Sequence, residues 1–264
     1  MNRRVLIGAA VFWPLAATAQ QAVQMPASVI RVVREQAEIA AAQIGQFISE
    51  IEREINRTTA TQWASAPIEQ RRPGSGRLLR QVPAIIEFVQ LDPAAKERLR
   101  VSRRPMDVIG GQTDYSQDPK FTVAMAKKAY YGPVHFTSGS DPYMTLSLAS
   151  ANPEAGVSVV EVNLKAILDI VMQVRIGERG VAYILDVDNR VIAHRDISLL
   201  QRDFSSLGQV RAARGAGSNV AAGLVQAAQD IHGRDVIAAF AAVAPLAWLV
   251  FVELPAEEAN GLAQ

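Results

Sequence analysis

Six side chains of this sequence are of the types that grip a small molecule: Arg103, Tyr115, Lys120, Tyr131, Tyr143 and Glu161. Arginine presents planar paired donors to a carboxylate and lysine a compact charge, so Arg103 and Lys120 suit an anionic group. A tyrosine offers a flat apolar wall with one polar tip. Glu161 lies in Val157-Ser-Val-Val-Glu-Val-Asn163; in a strand it shares a face with Val157 and Val159, while Val160 and Val162 point the other way. A carboxylate among valines meets a ligand or a basic residue, or faces solvent. Singly, each residue also fits as a strand-edge aromatic or a solvated charge. Together they could line a pocket of apolar walls with a few convergent polar groups.

Catalytic chemistry finds no such grouping. His194-Arg195-Asp196 has the look of a kinase catalytic loop, but that loop needs Asn five residues after its Asp, and Gln201 stands there. His135, His194 and His232 are not at metal-site spacing. Asp186 and Asp188 flank a turn, where aspartate bonds the backbone. The chain has no cysteine, which removes thiolate metal sites, disulfides and a cysteine nucleophile. No nucleophile elbow, phosphate loop or dinucleotide fingerprint occurs. The reading is no catalytic residue, no metal and no cofactor. A formal net charge of +1 over 264 residues gives no reason to expect nucleic acid.

The elements that must position the six are legible from patterning. Residues 1–19 read as a signal peptide: Arg3-Arg4, an apolar run from Val5, and Ala17-Thr18-Ala19 as cleavage site. The chain is therefore expected in the periplasm, or at the inner membrane if the segment is kept as an anchor. Val29, Val33, Ala37, Ala40, Ile44, Phe47, Ile51 and Ile55 recur at helical spacing, and Val33 to Ile51 alternates like a coiled-coil seam. That stripe either packs on its own domain or makes a homodimer. With the connecting loop, whose Pro, Ser, Gly and Arg residues run from Trp63 to Gly76, this region spans 27–80; a short helix over Gly76 to Gln81 is also expected.

Two strand-rich units follow, over 81–174 and 175–255. The first has strands at Ile85–Leu91 and Glu97–Val101, a loop from Ser102 to Gln117, a helix opened by Asp118-Pro119, a hairpin around Ser138-Gly139-Ser140-Asp141, and a strand at Gly156–Asn163 leading into a helix over Leu164–Val174. The second has strands at Val181–Leu185 and Arg190–His194, a variable stretch from Asp196 to Gly223, and three strands ending at Leu254. Val159-Val160-Glu161-Val162-Asn163 and Phe251-Val252-Glu253-Leu254-Pro255 share one rhythm, as expected of a duplicated α/β unit. A C-terminal helix begins over 256–264. No second membrane span or output domain is visible, so a signalling partner is implied.

In this order the chain resembles the double Cache sensor domains. The resemblance is carried by the long leading helix, Asp118-Pro119-Lys120-Phe121, Tyr130-Tyr131-Gly132-Pro133, Pro142-Tyr143-Met144-Thr145, Gly180 to Asp186, and Ala244-Pro245-Leu246-Ala247-Trp248. It implies an α+β fold, a long N-terminal helix followed by two PAS-like modules with antiparallel sheets. It further implies an extracytoplasmic small-molecule sensor with its ligand in the membrane-distal module, 81–174. Residues 175–255 would be the membrane-proximal module, and a membrane-bound histidine kinase, cyclase or chemoreceptor the partner. The amino-acid-binding branch carries an Arg-x-x-Trp-Tyr-like cluster where this chain has Lys120-Phe121, and Glu161 replaces its late Asp. That departure, with Arg103 and Lys120, favours a ligand other than an amino acid, organic and anionic. The alternative is a non-catalytic scaffold with a degenerate Cache fold, joined by the helix seam.

Overall fold

A computed structural model describes residues 27–60, 63, 65–103, 108–137, 141–216 and 222–261. The expected signal segment 1–19, Ser138-Gly139-Ser140 of the expected hairpin, and 262–264 of the expected C-terminal helix lie outside them. Helix α1 (Ala27–Thr58) leads into α2 (Ile68–Gln81). The first sheet contains β1 (Ile85–Leu91), β2 (Glu97–Ser102), β3 (Val108–Ile109), β4 (Ala129–Tyr131), β5 (His135–Phe136), β6 (Pro142–Ala149) and β7 (Val157–Asn163). Helix α3 (Pro119–Lys127) precedes β4, and α4 (Lys165–Gln173) follows β7. The second sheet contains β8 (Val181–Leu185), β9 (Val191–His194), β10 (Ala222–Gln229), β11 (Asp235–Val243) and β12 (Trp248–Pro255). Helix α5 (Gly208–Gly215) precedes β10, and α6 (Ala256–Gly261) follows β12.

Both sheets are antiparallel and wound alike. The strand order is β3-β2-β1-β7-β6-β4 in the first, with β5 also on β6, and β10-β11-β12-β8-β9 in the second. Read from opposite edges these are one topology, with β7 and β12 as equivalent central strands. This is the expected α+β arrangement of two similar modules behind a long helix.

Helix α1 buries Val29, Val33, Ala37, Ala40, Ala41, Ile44, Ile48, Ile51 and Ile55. They join one core with Phe88, Leu146 and Val160 of the first sheet and Ile237, Val250 and Val252 of the second. The stripe that spaced like a dimer seam is thus covered by the chain's own sheets. Ile48, and not Phe47, continues it, because a straight helix drifts off a strict 3.5-residue repeat. A homodimer through this helix would have to use its other face, where Val32 and Ile39 are exposed.

One stretch expected to be a loop, and one expected only to be variable, contain helices. The Pro- and Gly-containing run from Trp63 to Gly76 mostly belongs to α2, with Pro73 inside it. Its composition is misleading because Gly74 has a tertiary purpose: a Cβ there would stand 2.9 Å from the Trp63 ring, whose Nε1–H donates to Arg71 O at 3.0 Å. The variable stretch after Asp196 holds α5, which covers the second sheet with buried Gln209, Val210 and Ala213.

The sequence-legible start of α3 is as expected: Asp118 Oδ1 accepts from Lys120 N at 2.8 Å, and Pro119 needs no donor in the first turn. Replacing Asp118 by Ala should cost about 1 kcal/mol. In a protein of this size that is a fall in Tm of roughly 2–4 °C, readable by scanning calorimetry.

Among the described residues no helix is long and apolar enough to cross a membrane.

Candidate functional site

Strand register arranges the α3-facing side of the first sheet as rows of side chains. Leu91, Val157 and Ala149 form an apolar row. Next come Arg100, Val89, Val159, Ser147 and Tyr130, then Ser102, Glu87, Glu161 and Thr145, and last Asn163, Tyr143 and His135. Ala124 of α3, with Phe121, Tyr115 and Tyr130, packs on Val89, Val157 and Val159. The result is an apolar wall beside a band of carboxylates and hydroxyls. Side chains alternate along each strand, so the other side of the sheet belongs to the α1 core.

Glu87 and Glu161 stand directly opposite each other on neighbouring strands. Like charges so placed repel. Each is met by a partner on its far side. Arg100 reaches Glu87 at 2.8 Å and grips Glu97 through two contacts of 3.1 and 2.7 Å. Arg100 also donates to the Tyr115 hydroxyl at 3.0 Å. Its guanidinium is held well above its ordinary value, chiefly by the bond to Glu97. Burial pushes the Tyr115 phenol up.

On Glu161, Thr145 Oγ1 donates to Oε2 at 3.0 Å. His135 Nε2 lies 3.0 Å from Oε1, an ion pair when the ring is protonated, yet no hydrogen bond joins them and Oε1 is left without a donor. One row away, the Ser147 hydroxyl is fully buried and also without a partner. The Ser147 hydroxyl and Glu161 Oε1 are thus buried polar atoms on adjacent strands that make no hydrogen bond among the described residues.

The six expected residues are divided among several places. Tyr115, Tyr143 and Glu161 share this face, and Tyr143 is stacked on His135 with centroids 6.1 Å apart. Lys120 stands on α3 four residues before Ala124, the residue that seats this helix on the sheet. Tyr131 faces the other way: it pairs with Leu146 on the α1 side, and its hydroxyl donates to Glu52 Oε1 at 2.5 Å. Burial and that carboxylate push its phenol up. Arg103 is also elsewhere. Its Nε donates to Ile85 O at 3.0 Å and its Nη2 to Leu79 O, so it clasps α2 to the first strand. The basic pair on which an anion was expected therefore does not converge.

Arg100, Glu87, Thr145, Ser147 and His135 were missed. Glu87 could have been found, since it interrupts an apolar strand just as Glu161 does. Ser147 gives no local signal. A cleft of about 630 Å³ at the edge of this sheet, between Asn56 of α1, Thr59 just after it, Lys128 and Asn152, holds none of the six and no carboxylate. Among the described residues no group of three or more His, Cys, Asp or Glu could hold a metal ion.

The Cache domain model dCache_1 matches residues 18–263. No curated protein matches the sequence. The fold is similar to the sensory domain of the Campylobacter jejuni chemoreceptor Tlp3, at TM-score 0.68 and 14% identity over 88% of this chain and 96% of that one. It is similar to the extracellular domain of the putative histidine kinase mmHK1S-Z2, at TM-score 0.68 and 16% identity over 87% and 99%. It is also similar to the ligand-binding domain of the Pseudomonas aeruginosa amino acid chemoreceptor PctC, solved with GABA, at TM-score 0.61 and 17% identity over 85% and 99%.

Proposed function

The chain belongs to the Cache domain family, and from that premise we propose that it is a periplasmic small-molecule sensor, reached through the 1–19 signal segment, that binds its ligand between α3 and the first sheet. That sheet's module, 81–174, is the membrane-distal one in this reading, and 175–255 the proximal one. The observation that carries the reading is the buried, unpartnered Ser147 hydroxyl beside the opposed carboxylates Glu161 and Glu87, of which Glu161 has only Thr145 and His135 for partners. The converging groups are carboxylates and hydroxyls, and the nearest guanidinium, that of Arg100, is already matched by Glu87 and Glu97. The ligand therefore presents an ammonium or another strong donor to Glu161, with an apolar body against Val159, Tyr115 and Phe121. An anionic end, if it has one, is met by Lys120.

Signal output follows from connectivity. Strand β7 carries Glu161 and runs into α4 at Lys165. The loop after α4 is tied to the C-terminal helix, because Glu258 accepts from the backbone N–H groups of Glu178 and Arg179. Ligand closure on Glu161 would shift a population of α4 and α6 arrangements. The receiver is a membrane-bound partner of the histidine kinase, cyclase or chemoreceptor type.

A thermal-shift panel of amines, amino acids, carboxylates and purines tests this. A ligand at a hundred times its Kd adds about 2.7 kcal/mol, or roughly 5–10 °C in Tm. Amine-bearing compounds should give the shifts. Stabilisation by carboxylates alone would overturn the donor-first reading, and a silent panel the sensor reading.

A further inference from the structure

The second sheet repeats the feature on which the first site depends. Glu253 on β12 corresponds to Glu161 on β7: each is on the central strand, each is on the face turned from α1, and each closely precedes a helix. Glu253 differs in being closed over. It is 6% exposed, Tyr183 1% and Gln209 0%. Tyr183 Oη donates to Glu253 Oε1 at 2.6 Å, a diagonal contact from β8, where Tyr183 pairs with Phe251. Gln209, on the first turn of α5, donates to the same oxygen at 2.7 Å and to Gln229 O at 3.0 Å.

One bond is missing from this cluster. The Gln209 carbonyl, Oε1, is buried without a donor. Turning the amide over does not help, because both groups that its nitrogen now reaches are acceptors. Among the described residues no cation makes an ion pair with the carboxylate, and the one that acts on it from a distance, Arg234, is engaged elsewhere. Arg234, from the β10–β11 turn, is held by Asp230 Oδ2 at 2.6 Å. His194 of β9, whose ring centroid is 6.1 Å from that of Tyr183, accepts from Asp196 N through Nδ1, and burial lowers its pKa. Asp230 adds a like charge and His232 lies in the same turn. The wall is apolar, formed by Phe204, Phe240, Phe251 and Val210.

We propose that Glu253 is a proton-binding site: the neutral acid donates from Oε2 to Gln209 Oε1, closing an amide–acid ring that pins α5 to the strand feeding α6. With that one proton every polar atom of the ring has its partner. Ionisation removes the donor, leaves a buried charge, and loosens α5 from β12 three residues before α6 begins. The second module thereby reads acidity, independently of the ligand site in the first. The direction of the carboxyl's titration agrees, raised above its ordinary 4.5, with burial as the main cause. Because the folded form holds the proton more tightly, the stability contributed is complete below the unfolded value and is lost as pH rises through the raised folded value.

The test is a ¹³C-carboxyl NMR titration of the full chain labelled at glutamate, with hydrogen exchange of α5 and α6 at matched pH. One glutamate should titrate above all others and vanish in Glu253→Gln. The amide introduced by that substitution can still donate to Gln209 Oε1, so α5 protection in the variant should be high and independent of pH. Tyr183→Phe should move the midpoint further up, since the phenol favours the ionised form. Exchange from α5 and α6 in the parent should quicken across the same midpoint. Glutamates that all titrate in the ordinary range, or a high one surviving in Glu253→Gln, would overturn the proton site. Exchange that ignores the midpoint would overturn the coupling to α6.

Discussion

Glu161→Gln is expected to weaken binding of an amine-bearing ligand by roughly 10- to 100-fold while leaving the free protein as stable as before. The loss follows from removing a charge-assisted hydrogen bond, worth about 1.5–3 kcal/mol, because the amide turns its own donor toward the ligand, at about 1.4 kcal/mol per tenfold change. The unchanged stability follows from the register: Glu161 faces Glu87 across β7 and β1, so neutralising it relieves a like-charge pair. Thr145 can still donate to the amide oxygen. A variant that merely misfolded would lose binding and Tm together, so the two readouts separate the explanations. Isothermal titration with the best amine from the thermal panel gives the affinity, and differential scanning fluorimetry without ligand gives the Tm. Binding that survives intact would place the ligand away from Glu161.

Ile44→Ala should lower stability by about 2–5 kcal/mol, as large-to-small changes in a packed core do. For a protein of this length that is roughly 5–15 °C in Tm. Ile44 is fully buried in the core that α1 shares with both sheets. The loss should be the same at every protein concentration, because the contacts are made within one chain. A dimer seam would instead give a Tm that falls on dilution. Ile39→Ala is the control. Ile39 is 51% exposed on the opposite face, and surface changes of this kind stay within about 0.5 kcal/mol. A loss from Ile39→Ala as large as from Ile44→Ala would mean that the outer face is also covered.

Several features were legible from local chemistry. Asp118-Pro119 fixes the start of α3, since a side-chain acceptor and a residue lacking N–H are what a helix N-terminus needs. The spacing of Val33, Ala37, Ala40 and Ile44 fixes one face of α1. Alternation in β7 puts Glu161 with Val157 and Val159, and the α3 cluster packs on those two valines. The shared rhythm around Glu161 and Glu253 corresponds to equivalent strands of two sheets wound alike.

Composition misled at α2, where Gly and Pro looked like loop, and gave no element at α5. There tertiary packing overrode propensity: Gly74 makes room for Trp63, and Gln209 reaches a carboxylate on a strand far along the chain.

By itself, then, the sequence determined which residues share a face of each element, because helical and strand periods are properties of the local backbone. It could not determine which faces meet. Tyr130 and Tyr131 are equally plausible wall residues as letters, but β4 pairs with β6 in the register that turns Tyr130 toward Ser147 and Tyr131 toward Glu52. A shift of one residue would exchange them. Arg103 and Arg100 are two similar charges at the end of β2, and only the folded chain decides that one clasps backbone carbonyls while the other neutralises carboxylates. The change from an expected anion to a donor-bearing ligand rests on those long-range pairings. They are set by strand order and register, which no local stretch of the chain encodes.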